Sequence, residues 1–217
     1  MARRLKVLVV YQLQITITIH QSPITDLKIV GILLAAGSGS RFGGDKLAHP
    51  LADGTPIGVA SLRNLKRALP DVIAVARSAD THLRGLLTAE GVVVHPCADA
   101  HLGMARSFAC AIAASEDADG WVIALGDMPF LLPQTIANVA GRVAQSGGIA
   151  IPEYRGERGH PVGFGRRYRD ELLALQGDEG ARSVIARHPD ELEIVDCDDR
   201  GIVRDVDTPA DLARPRG

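Results

Sequence analysis

Residues 29–46 of this 217-residue chain read IVGILLAAGSGSRFGGDK, an apolar run that passes directly into a glycine-rich segment. The run Ile29–Ala35 is short and almost wholly apolar, which is typical of a strand that is buried on both faces of a sheet. Glycines after such a strand allow the backbone to approach a ligand closely and leave several N–H groups free to face anionic oxygens. Arg41 and Lys46 add positive charge. The stretch therefore predicts a buried strand followed by a loop that suits a polyphosphate.

The spacing of the glycines separates this loop from two familiar nucleotide-binding loops. A Walker loop ends in Gly-Lys-Ser/Thr, whereas Gly44 is followed here by Asp45 and only then by Lys46. The dinucleotide fingerprint GxGxxG would need a glycine where Phe42 stands, and no acidic residue is clearly placed to bind a ribose. The glycine-rich segment is therefore neither a Walker loop nor a dinucleotide-binding loop.

The remainder of the chain alternates short apolar runs with amphipathic segments. Candidate strands such as Asp71–Ala76 and Trp121–Leu125 are separated by candidate helices, the first of which ends near Leu69. This alternation predicts an α/β protein with a single three-layer α/β/α domain built on a mostly parallel (mixed) sheet. We expect this domain to span residues 29–214, and residues 1–28 to form an N-terminal extension of unknown role.

The composition argues against several broad classes of function. The chain carries 24 basic and 26 acidic residues, a net charge of −2, so we expect no binding to nucleic acid or to an acidic membrane. No apolar run approaches the roughly 20 residues of a membrane span, and the apolar start is not followed by a signal-peptide cleavage site. Cys97, Cys110 and Cys197 are few and far apart. We therefore expect neither a disulfide framework nor a structural metal, and a reduced cytoplasmic protein.

An acidic residue follows another strongly apolar strand. Trp121–Leu125 runs into the sequence GDMP, which places Asp127 at the carboxyl end of a buried strand, where α/β proteins bind ligands. A carboxylate there suits a divalent metal that contacts phosphates, although such a residue by itself is more commonly a turn or cap. Near the end of the chain, Asp207 has two alternative roles: a second metal ligand, or the cap of a last helix that begins at Thr208.

These motifs resemble those of one enzyme group. LAAG at Leu34–Gly37, followed by Arg41 and Lys46, resembles the LAAGxGxR…K signature of GT-A-like nucleotidyltransferases, which include sugar-phosphate, methylerythritol-phosphate and molybdenum-cofactor enzymes. The GDMP sequence and the later DVDTPADL segment resemble the metal-binding motif and the closing segment of that group. The resemblance implies a Rossmann-like (GT-A-like) nucleotidyltransferase fold, with a Mg²⁺ (or Mn²⁺) ion held by Asp127 and Asp207.

The same resemblance implies roles for individual residues. The loop would wrap the triphosphate of a nucleoside triphosphate. Arg41, Lys46 and Asp127 would be catalytic, because their charges and the metal would neutralise the charge that develops at the α-phosphate. The nucleotide-binding residues implied in this way are Leu34, Ala35, Ala36, Gly37, Gly39, Ser40, Arg41, Lys46 and, from the segment GMARS, Ser107.

Two further segments resemble those of molybdenum cofactor cytidylyltransferases. RGHPV at residues 158–162 is similar to an element that lines the acceptor pocket in that family, and GDEGAR at residues 177–182 is similar to its GDxGAR segment. A surface histidine and a capped helix start are the plainer interpretations of these segments. The acceptor-binding residues that the resemblance implies are Gly159, His160, Pro161 and Asp178.

The implied reaction is transfer of CMP from CTP to the phosphate of molybdopterin, with release of pyrophosphate and a molybdoenzyme as recipient of the product. Ala36 favours CTP, because guanylyl enzymes of the group typically carry glycine at this position. Two alternatives stay open. One is the same fold acting on a sugar phosphate or transferring GMP, and the other is a non-catalytic chaperone that carries the pterin cofactor. The joint presence of Arg41, Lys46 and Asp127 favours an enzyme.

Overall fold

Strand β1 (Ile29–Ala35) lies inside the sheet of the computed structural model, which describes residues 27–37, 42, 45–177 and 180–212. Its side chains alternate between two packed faces. Leu33 belongs to the core on one face and Ile32 to the core on the other, and both have no solvent exposure. This confirms the doubly buried strand predicted from the sequence, because only apolar side chains suit both faces of such a strand.

Eight strands and seven α-helices lie within the described residues. The strands after β1 are β2 (Val72–Arg77), β3 (Val93–Cys97), β4 (Gly120–Leu125), β5 (Ile149–Tyr154), β6 (Glu157–Arg158), β7 (Val162–Gly165) and β8 (Leu192–Asp196). The α-helices are α1 (Ile57–Ala68), α2 (Thr81–Ala89), α3 (Met104–Ala113), α4 (Pro133–Ser146), α5 (Arg169–Leu173), α6 (Arg182–Arg187) and α7 (Pro209–Leu212). Short 3-10 helices span Lys46–Ala48, Ala98–Leu102, Arg166–Tyr168, Pro189–Glu191 and Arg200–Val203.

The sheet is mixed: one half is parallel, and the other half contains antiparallel pairs. The strand order is β3-β2-β1-β4-β7-β5-β6, and β8 pairs in parallel with β5. Strands β1 to β4 are mutually parallel, whereas β7 runs antiparallel to β4 and β5. In the register, Leu34 of β1 is paired with Leu125 of β4, and Ala35 with Ala76 of β2. The carboxyl ends of β1, β2 and β4 therefore meet at one edge.

Helices cover both faces of the sheet, which confirms the predicted three-layer α/β/α class. Helices α1, α2 and α4 contribute buried side chains to the core that contains Leu33, and α3, α5 and α6 contribute to the core that contains Ile32. Trp121 of β4 has no exposure, and its indole N–H donates to Ser115 Oγ at 2.8 Å. The single polar atom of this large side chain is thus satisfied inside the core.

One expectation about the cysteines is wrong. Cys97, at the end of β3, and Cys110, in α3, form a disulfide with their Cα atoms 6.1 Å apart. The chain turns through the Ala98–Leu102 helix and returns along α3, which packs on β2 and β3. Residues 13 positions apart in sequence become neighbours in this way. Cys197 is a free thiol.

Residues 1–26 and 213–217 lie outside the described residues, so the predicted extension and the end of the domain near residue 214 stay predictions. No helix in the described part of the chain is both long enough and apolar enough to span a bilayer.

Candidate active site

The glycine loop and Asp127 meet because β1 and β4 are adjacent and parallel. β1 continues into Ala36 and Gly37, and β4 into Gly126 and Asp127. The amide of Gly126 donates to the carbonyl of Leu34 at 2.9 Å, which extends the strand pairing by one step. A Cβ on Gly126 would lie only 3.2 Å from that carbonyl, so the close approach of the two chains suits a glycine here. Asp127 is thereby held beside the start of the glycine loop.

Three residues that are remote in sequence form one charged cluster at this edge. Lys46 Nζ donates to Asp127 Oδ2 at 2.8 Å and lies 3.2 Å from Asp207 Oδ1. Lys46 comes from the first 3-10 helix, and Asp207 lies on the segment that precedes α7. This segment is fixed by the amide of Val206, which donates to the carbonyl of Asp127 at 2.9 Å. The fold therefore brings together a cation and both carboxylates that the sequence suggested for a metal.

The cluster keeps Lys46 charged. Burial works against the ammonium form, but the hydrogen bonds and charges of Asp127 and Asp207 outweigh it and hold the pKa of Lys46 above its usual value. Partial burial, together with the charges of Asp207 and Asp127, raises the pKa of the neighbouring Asp205. The cluster thus combines one cation with a surplus of acidic groups.

The acidic residues of the cluster suit a divalent metal ion that is also coordinated by a bound ligand. Asp127 Oδ1 is buried and accepts no hydrogen bond within the described structure, so one carboxylate oxygen is available to a cation. The described residues contain no group of three His, Cys, Asp or Glu side chains that could hold a metal ion by themselves. Mg²⁺ in phosphoryl-transfer sites is commonly held by one or two carboxylates and completed by substrate phosphates and water. Asp127 and Asp207 suit this arrangement.

A cleft of about 520 Å³ opens beside the cluster. Six of the residues predicted from the sequence line it: Leu34, Ala36, Gly37, Lys46, Ser107 and Asp127. Ala35 does not line the cleft, because the alternation of β1 turns its side chain into the α1 side of the core. The cleft is bounded on one side by β1 and β4 and on the other by the start of α3, so its size and position suit a nucleotide.

Arg77 and Met104 are among the lining residues to which the sequence reasoning gave no role. Arg77 ends β2 and lines the cleft, and its Nε donates to Asp80 Oδ2 at 2.8 Å. Met104 begins α3 and is 44% exposed at the cleft wall. The position of Arg77 at the carboxyl end of a strand was a usable signal for a ligand-facing cation, since parallel strand ends share an edge. Met104 stands in the GMARS segment, but there an ordinary helix start was nearly as good an interpretation as a contact with the nucleotide.

The RGHPV segment is held tightly by backbone bonds. The amide of Gly159 donates to Pro152 O at 3.1 Å, and that of His160 donates to Ile202 O at 2.9 Å. A Cβ on Gly159 would overlap the carbonyl of Ile202, so only glycine allows this contact. The Nδ1 atom of His160 is buried and has no hydrogen-bond partner in the described structure. His160 is therefore a fixed, half-buried side chain rather than a solvated surface histidine.

The environment of His160 favours its neutral form. Burial lowers the pKa of the ring, and the charge of Asp127 opposes this while that of Arg182 adds to it. His160 does not line the cleft beside Lys46, although it lies close enough to Asp127 to be affected by its charge. Pro161 is buried beside it.

Several predicted residues lie outside the described residues: Gly39, Ser40, Arg41 and Asp178. Their implied contacts with triphosphate and acceptor stay predictions. For Asp207, the described contact is with Lys46, while the amides of Asp207 and Thr208 donate to Asp211 Oδ2 at 3.2 and 2.8 Å. The carboxylate of Asp211 in α7 therefore binds the two backbone amides that immediately precede the helix.

Several known proteins are similar to this chain over most of its length. The curated relatives include the purine catabolism protein PucB of Bacillus subtilis, 30% identical over 83% of this chain and 92% of that protein. They also include the nicotine blue oxidoreductase of Paenarthrobacter nicotinovorans, 30% identical over 88% of this chain and 98% of that protein. Both matches run over nearly the full length of the relatives.

Solved structures and a family model complete the comparison. The crystal structure of Rv0371c from Mycobacterium tuberculosis matches with a TM-score of 0.73 and 30% identity, covering 87% of this chain and 97% of that one. Its complex with manganese matches with a TM-score of 0.69 and 28% identity, over 86% and 96% of the two chains. The model of the MobA-like NTP transferase domain matches residues 31–192. This chain is a nucleotidyltransferase and belongs to the family of MobA-like NTP transferase domains.

Proposed function

We propose that this enzyme transfers CMP from CTP to the phosphate of molybdopterin and releases pyrophosphate. The observation that carries the proposal is the cluster of Lys46, Asp127 and Asp207, of which Lys46 and Asp127 line a nucleotide-sized cleft. In the reaction, an oxygen of the acceptor phosphate forms a bond to the α-phosphorus of CTP. The bond from that phosphorus to the bridging oxygen of the β-phosphate breaks, and pyrophosphate leaves with the electron pair.

The residues of the chain act in this reaction by position and charge. Gly37 and the following loop would hold the triphosphate close to β1, and Lys46 would place its ammonium against the phosphate oxygens. Asp127, with Asp207, would hold a divalent metal, which when bound supplies a Lewis acid for the phosphate charge. The acceptor phosphate is already anionic and nucleophilic, so no side chain is needed as a general base.

The proposed preference for CTP rests on one residue in the wall of the cleft. Ala36 is buried and lines the cleft directly after β1. Its methyl group occupies space that a glycine would leave open, which supports a pocket for the smaller pyrimidine ring. The proposed acceptor preference rests on the RGHPV segment, whose histidine lies close enough to Asp127 to be affected by its charge; this supports a position on the metal side of the reacting phosphates.

The test is a direct transfer assay. The protein is incubated with each of the four α-labelled nucleoside triphosphates, Mg²⁺ or Mn²⁺, and molybdopterin released from a molybdoenzyme. We expect labelled dinucleotide cofactor and pyrophosphate with CTP. Efficient transfer with GTP alone would contradict the base assignment. Turnover only with a sugar phosphate would contradict the acceptor, and binding of the pterin without pyrophosphate release would favour a carrier of the cofactor.

A further inference from the structure

Both carboxylates proposed for the metal are already engaged by one internal cation. Lys46 Nζ lies 2.8 Å from Asp127 Oδ2 and 3.2 Å from Asp207 Oδ1, so the ammonium bridges the two side chains. The Lys46 side chain is only 10% exposed, whereas those of Asp127 and Asp207 are 23% and 38% exposed. A metal that bonds directly to these two oxygens would require the ammonium to leave.

The charges around the cluster make this competition strong. The acidic groups paired with Lys46 are Asp127 and Asp207, and a third acidic residue, Asp205, stands two positions before Asp207 in the chain. With Lys46 in place, one positive charge offsets part of this acidic surplus. A divalent ion that arrives alone is repelled by the ammonium, and this repulsion is substantial in a partly buried site. Two of the carboxylate oxygens, Asp127 Oδ2 and Asp207 Oδ1, are also already paired with Lys46.

We propose that Lys46 is a resident counter-cation that weakens metal binding at Asp127 and Asp207 until a nucleoside triphosphate arrives. When the metal and the triphosphate bind, the flexible Lys46 side chain moves from the two carboxylates to the phosphate oxygens, and the metal takes its place. This inference rests on the proposed function only in the assignment of Asp127 and Asp207 as metal ligands; it does not depend on the base or on the acceptor.

The exchange has a thermodynamic consequence. Transfer of Lys46 to the phosphates frees the metal ligands, so the nucleotide should raise the affinity for metal, and metal should raise the affinity for nucleotide by the same factor. Part of this coupling between metal and nucleotide depends on the Lys46 side chain. Removing the charge of Lys46 should therefore strengthen metal binding to the nucleotide-free protein while it weakens the coupling.

The experiment measures Mn²⁺ binding without nucleotide, by the EPR signal of the free ion, in the full-length protein. Lys46→Met keeps most of the apolar stem and removes the charge, and Lys46→Arg keeps the charge as the matched control. We expect Lys46→Met to bind Mn²⁺ on the order of tenfold more tightly than the wild type, because the competing cation is gone. Lys46→Arg should stay within about twofold of the wild type, and Lys46→Met combined with Asp127→Asn should lose the gain.

A second measurement follows the lysine itself. NMR of the Lys46 side chain in the wild type should show no change with Mg²⁺ alone and a clear shift with Mg²⁺ and CTP together. Unchanged or weaker Mn²⁺ binding by folded Lys46→Met would overturn the exchange. So would a lysine signal that shifts fully with metal alone. A transfer assay that fails with molybdopterin while the Mn²⁺ result holds would contradict the proposed function and leave the exchange standing.

Discussion

The buried hydroxyl of Ser61, in α1, donates a hydrogen bond to the carbonyl oxygen of Gly126 at 2.9 Å, directly before Asp127. The same hydroxyl lies 3.1 Å from the carbonyl of Ile57, one turn earlier in its own helix. Through this side chain, α1 holds the peptide group that immediately precedes the proposed metal ligand, Asp127. Ser61 is a positioning residue, since it acts on the site only through the backbone of Gly126.

Replacing Ser61 with alanine leaves the carbonyl of Gly126 without this partner. We expect the free energy of unfolding to fall by about 1–3 kcal/mol, the usual cost of a buried polar group that loses its partner. Urea denaturation measures this fall. Ser78→Ala, at an exposed turn, is the control and should change stability by less than about 0.5 kcal/mol. A Ser61→Ala protein as stable as the wild type would show that the bond contributes nothing.

Removing either charge of the central ion pair should abolish catalysis without unfolding the protein. We expect Lys46→Ala and Asp127→Ala each to lower the kcat of nucleotide transfer by at least about 100-fold, since each removes charge stabilisation near the reacting phosphate. Thermal melting checks the fold. Lys66→Ala and Asp170→Ala, both at exposed positions, serve as controls and should retain activity. Near-normal turnover in either site variant would contradict the site assignment.

The histidine of the RGHPV segment should affect the acceptor more than the nucleotide. We expect His160→Ala to raise the KM for molybdopterin roughly tenfold or more, because a hydrogen bond to a charged phosphate contributes about 1.5–3 kcal/mol. The affinity for CTP, measured by calorimetry, should change little. His82→Ala, on the exposed face of α2, provides the comparison. A fall in CTP affinity instead would assign the segment to the nucleotide half of the site.

The lowered pKa of His160 predicts a loss of stability in acid. In the unfolded chain the ring binds a proton as the pH falls through about 6.5, whereas in the folded protein burial delays protonation to lower pH. The unfolded state then binds more protons, so the free energy of unfolding decreases from pH 6.5 downwards, by at most about 1.4 kcal/mol per pH unit for this one group. Urea denaturation at pH 7.5 and 5.5 should show a smaller decrease for His160→Gln. An identical decrease in both proteins would remove His160 as a cause.

The residue after β1 should tune the choice of base. We expect Ala36→Gly to raise the use of GTP relative to CTP, because removal of the methyl group enlarges the cleft beside Gly37. Competition between labelled CTP and GTP in one reaction gives the ratio directly. Equal ratios in the wild type and the variant would show that the base is selected elsewhere in the cleft.

The sequence by itself determined the parts of this protein that depend on local pattern. The run Ile29–Ala35 is almost wholly apolar. Such a run is typical of a strand covered on both faces, so the central strand and the α/β class followed. Asp127 could be placed at a ligand-binding edge because the carboxyl ends of parallel strands share one edge. Gly37 and Lys46 followed from the same reasoning, since a loop after that strand must open at the same place.

The tertiary structure alone decided which of these groups touch. Lys46 and Asp207 are 161 positions apart, and no local pattern states that the segment after Val203 returns to the end of β1. The antiparallel direction of β7 and the disulfide between Cys97 and Cys110 depend in the same way on how the chain returns. Asp199 is the clearest case: it is buried and accepts bonds at 2.7–2.9 Å from partners on three separate residues, Leu132, Thr135 and Gly201. A charged residue is buried only where the folded chain supplies such partners, and two of these three, Leu132 and Thr135, are brought to Asp199 by long-range packing.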